Sequence, residues 1–328
     1  MSREPQKPTS NNLGAIVFLF LSTVAYAQVA PPIVNGDKTQ EYEAVGAIVL
    51  SVRNYTESFC SATLVHPEWI LTAAHCVEAA KEYHRQGVDI EFVIGHNLET
   101  NSGIYTSAPA DKFKIHPDYN SSTIRHDIGL IHLTEPIEEF AHISMNLSNI
   151  GLAWQGRDLD YVGWGVTDDG GWDSGRKRVA TIPIFDYDSQ YIYSYDPTPN
   201  GSNLCSGDSG GAALHPEDDG SFTIVGVNSF VFDMGNGGPC DGGASGATRV
   251  DAHMDWITEY IDLDELAAIE EAAANPPEEV IDTGLDGAAG WDDNSAGGCA
   301  CSATSSPANR SLFLVLLTAL GVVLRRQE

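Results

Sequence analysis

The sequence predicts an all-β domain, a sandwich or barrel, closed by a helix. Three observations carry this. Short runs rich in Val, Ile, Phe, Tyr and Thr recur through residues 33–265, and such side chains pack well on a pleated, half-buried surface. Gly, Asn, Asp and Pro break these runs at short intervals, a texture that indicates a sandwich or barrel and not βαβ units. Helical spacing of apolar residues shows only late, at Met254, Ile257, Ile261, Leu263 and Leu266, so one helix over residues 251–272 closes the domain.

Taken in chain order, residues 47–52 (AIVLSV) form the first clear run. Residues 59–65 form the next, and His66-Pro67-Glu68 turns the chain into Trp69-Ile70-Leu71. Pro67 lacks the N–H that a ladder needs, which makes it a turn residue. Further runs cover residues 128–133, 161–164 and 222–227. No repeat of fixed period occurs.

The chain has 328 residues, 42% of them hydrophobic, enough for one large core or two smaller ones. Only 19% are charged, which argues against wholesale disorder. Lys+Arg 17 against Asp+Glu 46 gives a net charge of −29. A protein that tracks a phosphate backbone needs a basic face, so nucleic acid is not an expected partner.

Both ends are apolar. Residues 13–24 (LGAIVFLFLSTV) follow a polar start with Arg3 and Lys7, and Ala25-Tyr26-Ala27 follows them. Apolar run plus small-x-small reads as a signal peptide over residues 1–27, removed by signal peptidase on export. The run is too short to span ~30 Å of hydrocarbon. Residues 28–32 remain as a short propeptide. At the other end, residues 273–298 are rich in Pro, Gly, Asp and Glu, an acidic linker that cannot bury enough surface to order itself. Cys299 and Cys301 come next, then a spacer, the apolar run 312–324 and Arg325-Arg326. This unit, residues 299–328, resembles the C-terminal sorting signals of myxobacterial surface proteins, the MYXO-CTERM type. The resemblance implies a membrane tail handled by a sorting enzyme, with the cysteines used for attachment at the cell surface or outer membrane. An ordinary C-terminal anchor, thinning the bilayer around a short span, is the other reading.

Four stretches carry chemistry. They are Ile33-Val34-Asn35-Gly36, Leu71-Thr72-Ala73-Ala74-His75-Cys76, Asp127-Ile128-Gly129-Leu130, and Cys205-Ser206-Gly207-Asp208-Ser209-Gly210-Gly211. Alone, each has a plain reading: a structural histidine, one acid among many, a tight glycine turn. Together and in this order they resemble the trypsin/chymotrypsin family of serine peptidases. Gly163-Trp164-Gly165 and Trp256-Ile257 extend the resemblance. It implies two antiparallel six-stranded β-barrels packed together, over residues 33–272. Barrel one would cover about 33–148 and barrel two about 149–250, with the closing helix after them. It also implies a catalytic triad of His75, Asp127 and Ser209, in the chain order of this family, acting on a protein or peptide substrate.

The residue types suit that chemistry. A serine hydroxyl is a weak nucleophile and needs a base within hydrogen-bond reach. His75 can take that proton near neutral pH and return it to the leaving amine. Asp127 would hold the imidazole in one tautomer. The family match puts the oxyanion donors on the backbone N–H groups of Gly207 and Ser209, each worth ~10²–10³ in rate.

The resemblance also pairs Asp208 with an α-amino group freed at Ile33, so the chain is expected to be made as a zymogen. Losing one partner of such a buried pair costs about 3–5 kcal/mol. The bond to be cut is Pro32–Ile33. A trypsin-like activator needs Lys or Arg there, so a different activating protease, or trimming of the stub, is implied.

Six cysteines are present. The family pattern pairs Cys60 with Cys76 and Cys205 with Cys240; the spacing alone allows three pairings of these four. No second Cys/His pair stands near Cys299 and Cys301, so no zinc site is read there. No metal and no cofactor are assigned. Gly95-His96-Asn97-Leu98-Glu99 looks like the start of a calcium loop, but few oxygen ligands follow. Asn54-Tyr55-Thr56 fits a glycosylation acceptor, to which no role is given.

By family position Asn203 lies at the base of the primary specificity pocket, with Ser229, Val231 and Gly246 in its walls. Burying a Lys or Arg side chain there without a counter-charge is expensive. The expectation is a preference for small or medium uncharged side chains. Ser61-Ala62, where the family has a Gly pair, is expected to touch the leaving-group side and to leave the triad alone. Two other classes stay open on sequence: a non-catalytic surface binding module with the same fold, and an α/β-hydrolase esterase. The latter would need the order Ser, Asp, His.

Overall fold

The computed structural model describes residues 33–52, 55–235 and 237–274. The signal peptide, the 28–32 stub, the linker beyond Ala274, Asn54, and the tail with Cys299 and Cys301 lie outside the described residues. Among the described residues no helix is long and apolar enough to cross a membrane.

The described residues form fourteen strands and three α-helices. β1 (Asp37–Lys38) is a short entry strand. β2 (Val45–Val52), β3 (Tyr55–His66), β4 (Trp69–Thr72), β5 (Asp89–Gly95), β6 (Ile104–Ile115) and β7 (Gly129–Leu133) follow, with α1 (Ala74–Arg85) between β4 and β5. They close a barrel in the order β2-β3-β4-β7-β6-β5. After β8 (Ser144–Met145) come β9 (Asp158–Gly163), β10 (Arg178–Tyr187), β11 (Tyr191–Ser194), β12 (Ala212–Pro216), β13 (Phe222–Phe232) and β14 (Ala244–Arg249). β9 pairs with both β10 and β12, so β9-β10-β11-β14-β13-β12 closes a second barrel. Closure removes the free edges that an open sheet would expose.

The two barrels are built from one rule, side-chain alternation. In β5, Ile90, Phe92 and Ile94 point inward and are fully buried. Val93 points outward, yet it is buried too, with Ala47 and Val49, because Trp164 covers that face. Strand β2 reads as continuous apolar chain for this reason: both its faces are buried. Trp164 is fully buried and its indole N–H donates to the Val45 carbonyl at 3.4 Å. Burying a side chain of this kind stabilises by at least about 1.5–3 kcal/mol.

Three placements differ from the expectation. The first is α1, which the all-β reading passed over. Its three alanines and two glutamates favour a helix, and Ala74, Cys76, Val77 and Ala80 make its buried face. The second is the closing helix, which is two: α2 (Met254–Ile257) and α3 (Leu263–Ala274). Asp262 starts the second by accepting the Asp264 N–H at 2.9 Å, a side-chain cap. The third is the allocation of ends. β1 pairs with β10, and β8 pairs parallel with β13, so both belong to the second barrel's sheet. Ile33 is in that core as well.

Two disulfides are present. Cys60 joins Cys76, with Cα atoms 6.0 Å apart, and Cys205 joins Cys240, with Cα atoms 5.0 Å apart.

Candidate active site

His75 stands in the first turn of α1, Asp127 two residues before β7, and Ser209 in the loop from β11 to β12. Asp127 is fully buried. Three donors meet its carboxylate. The His75 backbone N–H donates to Oδ1 at 2.9 Å, and the His75 ring Nδ1–H donates to Oδ2 at 2.8 Å. The Ser229 hydroxyl also donates to Oδ2. Such donors compensate a buried carboxylate for its lost water. They also fix the imidazole, which presents its other nitrogen, Nε2, as an acceptor. The His75 side chain keeps 31% of its exposure.

Ser209 sits on a loop built by close approach. Gly207 has φ +94°, and a Cβ there would lie 2.8 Å from the Gly165 Cα. Only glycine takes that position without strain. Among the described residues the N–H groups of Gly207 and Ser209 have no hydrogen-bond partner, whereas the Asp208, Gly210 and Gly211 amides donate to Cys205, Asn228 and Asp208 carbonyls.

Ser61 reaches into this loop. Its hydroxyl donates to the Gly207 carbonyl at 2.9 Å and accepts the Trp164 N–H at 3.0 Å. Its backbone N–H donates to the Ser209 carbonyl at 2.8 Å. The expectation that this position leaves the triad alone is therefore corrected: Ser61 ties barrel one to the backbone around Ser209. The only sequence signal was a hydroxyl where the family has glycine.

Asp208 is fully buried. Its Oδ1 accepts the Gly165 N–H at 2.8 Å and its Oδ2 the Cys205 N–H at 2.9 Å. Burial nevertheless pushes its pKa up to about 7, against these two donors and the charge of Arg178. Arg178 lies opposite Gly163 in the β9–β10 ladder. A Cβ on Gly163 would fall 2.3 Å from Asp208 Oδ1, so the absent side chain is what admits the carboxylate. Ile33 is fully buried, and the Asn203 N–H donates to the neighbouring Val34 carbonyl at 3.2 Å. While the Pro32–Ile33 bond is intact the Ile33 nitrogen is an uncharged amide.

A recess of about 120 Å³ opens beside Ser209, lined by Leu204, Cys205, Ser206, Asn228, Ser229, Phe230 and Val231. Ser229 and Val231 are thus in its wall, and the Ser229 hydroxyl is committed to Asp127. Asn203 and Gly246 are not among the lining residues. The Asn203 amide donates to the Pro239 carbonyl at 2.8 Å, and its buried Oδ1 has no partner among the described residues. Gly246 lies under the Phe230 ring, which approaches within 2.3 Å of where a Cβ would stand. At the calcium-like stretch, the Glu99 carboxylate is paired with Arg176.

The sequence profile of the trypsin family matches residues 33–257. Chymotrypsin-like elastase family member 1 of Canis lupus familiaris is 31% identical over 220 residues, 62% of this chain and 81% of that protein. Brachyurin of Leptuca pugilator is 31% identical over 213 residues, 61% of this chain and 86% of that protein. Trypsin-1 of Salmo salar is 26% identical over 211 residues, 61% of this chain and 82% of that protein. By its two closed barrels and the matched span, the chain belongs to the trypsin family and is a serine-type endopeptidase.

Proposed function

We propose that the protein hydrolyses peptide bonds through Ser209, His75 and Asp127, by way of an acyl-enzyme. The Ser209 hydroxyl attacks the scissile carbonyl while His75 takes its proton through Nε2. His75 then returns the proton to the leaving amine. Asp127 holds the ring and stabilises its charged form. The free N–H groups of Gly207 and Ser209 receive the oxyanion. Water repeats the sequence and releases the acid. The observation that carries this reading is the His75–Asp127 pair, 2.8 Å apart with the acid fully buried.

The substrate side chain next to the cleaved bond is small and uncharged. The recess is small, Val231 narrows it, and no acid lines it. The chain is made as a zymogen: cutting Pro32–Ile33 releases a cation that pairs with Asp208. Export by the 1–27 segment and surface attachment through the 299–328 tail complete the proposal. They rest on those stretches of sequence.

The test is covalent labelling by a serine-reactive fluorophosphonate, on chain whose N-terminus has been freed at Ile33. Labelling is expected, and Ser209→Ala abolishes it. Folded, disulfide-bonded protein that stays unlabelled would sink the triad assignment.

A further inference from the structure

Beside Asp127 in the chain, at His126, the fold gathers three histidines that the proposed catalysis does not use. His116 follows β6, His126 directly precedes Asp127, and His253 ends the turn after β14. Each offers one ring nitrogen, and the three nitrogens lie within 4.8 Å of one another. The ring centroids form a compact triangle with sides of 4.9, 5.1 and 5.3 Å. Among the described residues two other groups come as close, Cys60–His75–Cys76 and Asp169–Cys205–Cys240. Their sulfurs are locked in disulfides, and a metal wants the thiolate.

The hydrogen bonds around the triangle assign its free lone pair. The His253 Nδ1–H donates to the Arg249 carbonyl at 2.7 Å. That outer partner turns Nε2 inward as an acceptor, the arrangement that a metal-ligating imidazole uses. His253 Nε2 is 3.2 Å from His126 Nδ1. Two ligand nitrogens on one tetrahedral zinc, with bonds of 2.0–2.1 Å, stand about 3.4 Å apart. Two imidazole nitrogens this close must share a proton or a cation. Asp118 and Glu259 face His116, and Asp251, itself paired with Arg249, faces His253.

We propose that His116, His126 and His253 form a site for a zinc-class divalent transition metal, with its fourth position open to water. The His126 proton that now bridges to His253 leaves Nδ1, and Gln190, whose side chain contacts both His126 ring nitrogens, adjusts to the new tautomer. His116 coordinates through Nε2. Its Nδ1 now accepts the Asp118 N–H at a long 3.2 Å, and that contact gives way as the proton moves to Nδ1. The site joins the β6–β7 loop of barrel one to the turn that follows barrel two, so the ion acts as a staple between them. His126 has φ +52°, and its carbonyl accepts the Ile128 N–H at 2.8 Å, so the staple holds the peptide on which Asp127 is mounted.

The test uses the full chain, stripped with a chelator and titrated with ZnCl₂ or CoCl₂. One ion per chain should bind, and cobalt should give the intense visible bands of a tetrahedral site. At a hundredfold excess of zinc over its Kd the melting temperature should rise by about 5–10 °C. His75→Ala must keep the binding and the shift, which separates this site from metal taken up at the active site. His126→Asn and His116→Gln should each lose both. Either variant, if folded by circular dichroism, suffices to decide. A stripped wild-type chain that binds no zinc at millimolar concentration overturns the proposal, as does binding that survives in a folded variant. In that case the histidines are a hydrogen-bonded core network and nothing more.

Discussion

The two barrels deliver their functional groups in different ways. Barrel one holds His75 and Asp127 on regular structure, the first turn of α1 and the entry to β7, and buries the acid completely. Barrel two offers Ser209 on a loop between β11 and β12 with no strand in it. That loop is shaped by a left-handed glycine, a disulfide, the buried Asp208 and the hydroxyl of Ser61. The lesson is that the proposed base and its acid are set by the fold, whereas the proposed nucleophile depends on separate ties, any of which can be cut.

The largest effect should come from the reacting groups. Ser209→Ala and His75→Ala should each lower kcat by roughly 10⁶-fold, and the double variant should be no worse, because the pair acts as a unit. Additive losses in steady-state kinetics would mean the two do not work together. Next is Asp127→Asn, expected to cost about 10⁴-fold through the wrong imidazole tautomer. Because this pair belongs to the rigid side, its geometry should be the same before and after the Pro32–Ile33 cut. A downfield Nδ1–H resonance compared between the two forms would test that.

Asp208→Asn sharpens the contrast. In the cut form it should cost roughly 10²–10³ in kcat/KM, the size of a broken buried pair. In the uncut form the substitution should cost little, since the partner is absent there. Equal losses in both forms would break the comparison. The pH dependence follows from the same group. Burial raises the Asp208 pKa from 3.8 to about 7 in the intact chain. Folding therefore favours its neutral form, a contribution fully present below 3.8 and lost as pH rises through about 7. Uncut chain should lose stability across that window, and cut chain should lose less. His253 runs the other way. Burial lowers its pKa to about 4, so its contribution is present above 6.5 and lost as pH falls. It is common to both forms, so the difference between their denaturation curves isolates Asp208 together with the freed Ile33 amine.

The smallest effect is expected at Ser61. Ser61→Ala removes one hydrogen bond to Gly207 and one from Trp164, and should reduce kcat about tenfold with KM little changed. A larger change in KM than in kcat would place Ser61 with substrate binding.

Much of this was legible in the residues. The continuous apolar run of β2, the turn at Pro67 and the strand after Asp127 follow from side-chain periodicity and the missing proline N–H, which are local causes. The His, Asp and Ser motifs were legible because each chemistry permits few residue types. The helix α1 was missed because a short amphipathic segment of small residues reads weakly between strong strands. The split at Asp262 was missed because apolar spacing continues across it while a side-chain cap restarts the helix.

What the sequence by itself determined is the all-β class, its breakpoints and the chemistry available, because these depend on neighbours along the chain. What only the tertiary structure decided is who meets whom. Ser61 and Gly207 are 146 residues apart, His126 and His253 are 127 apart, and Ser229 and Asp127 are 102 apart. Barrel closure and the docking of one barrel on the other bring them together. No spacing rule encodes such contacts, since each depends on the packing of every strand between.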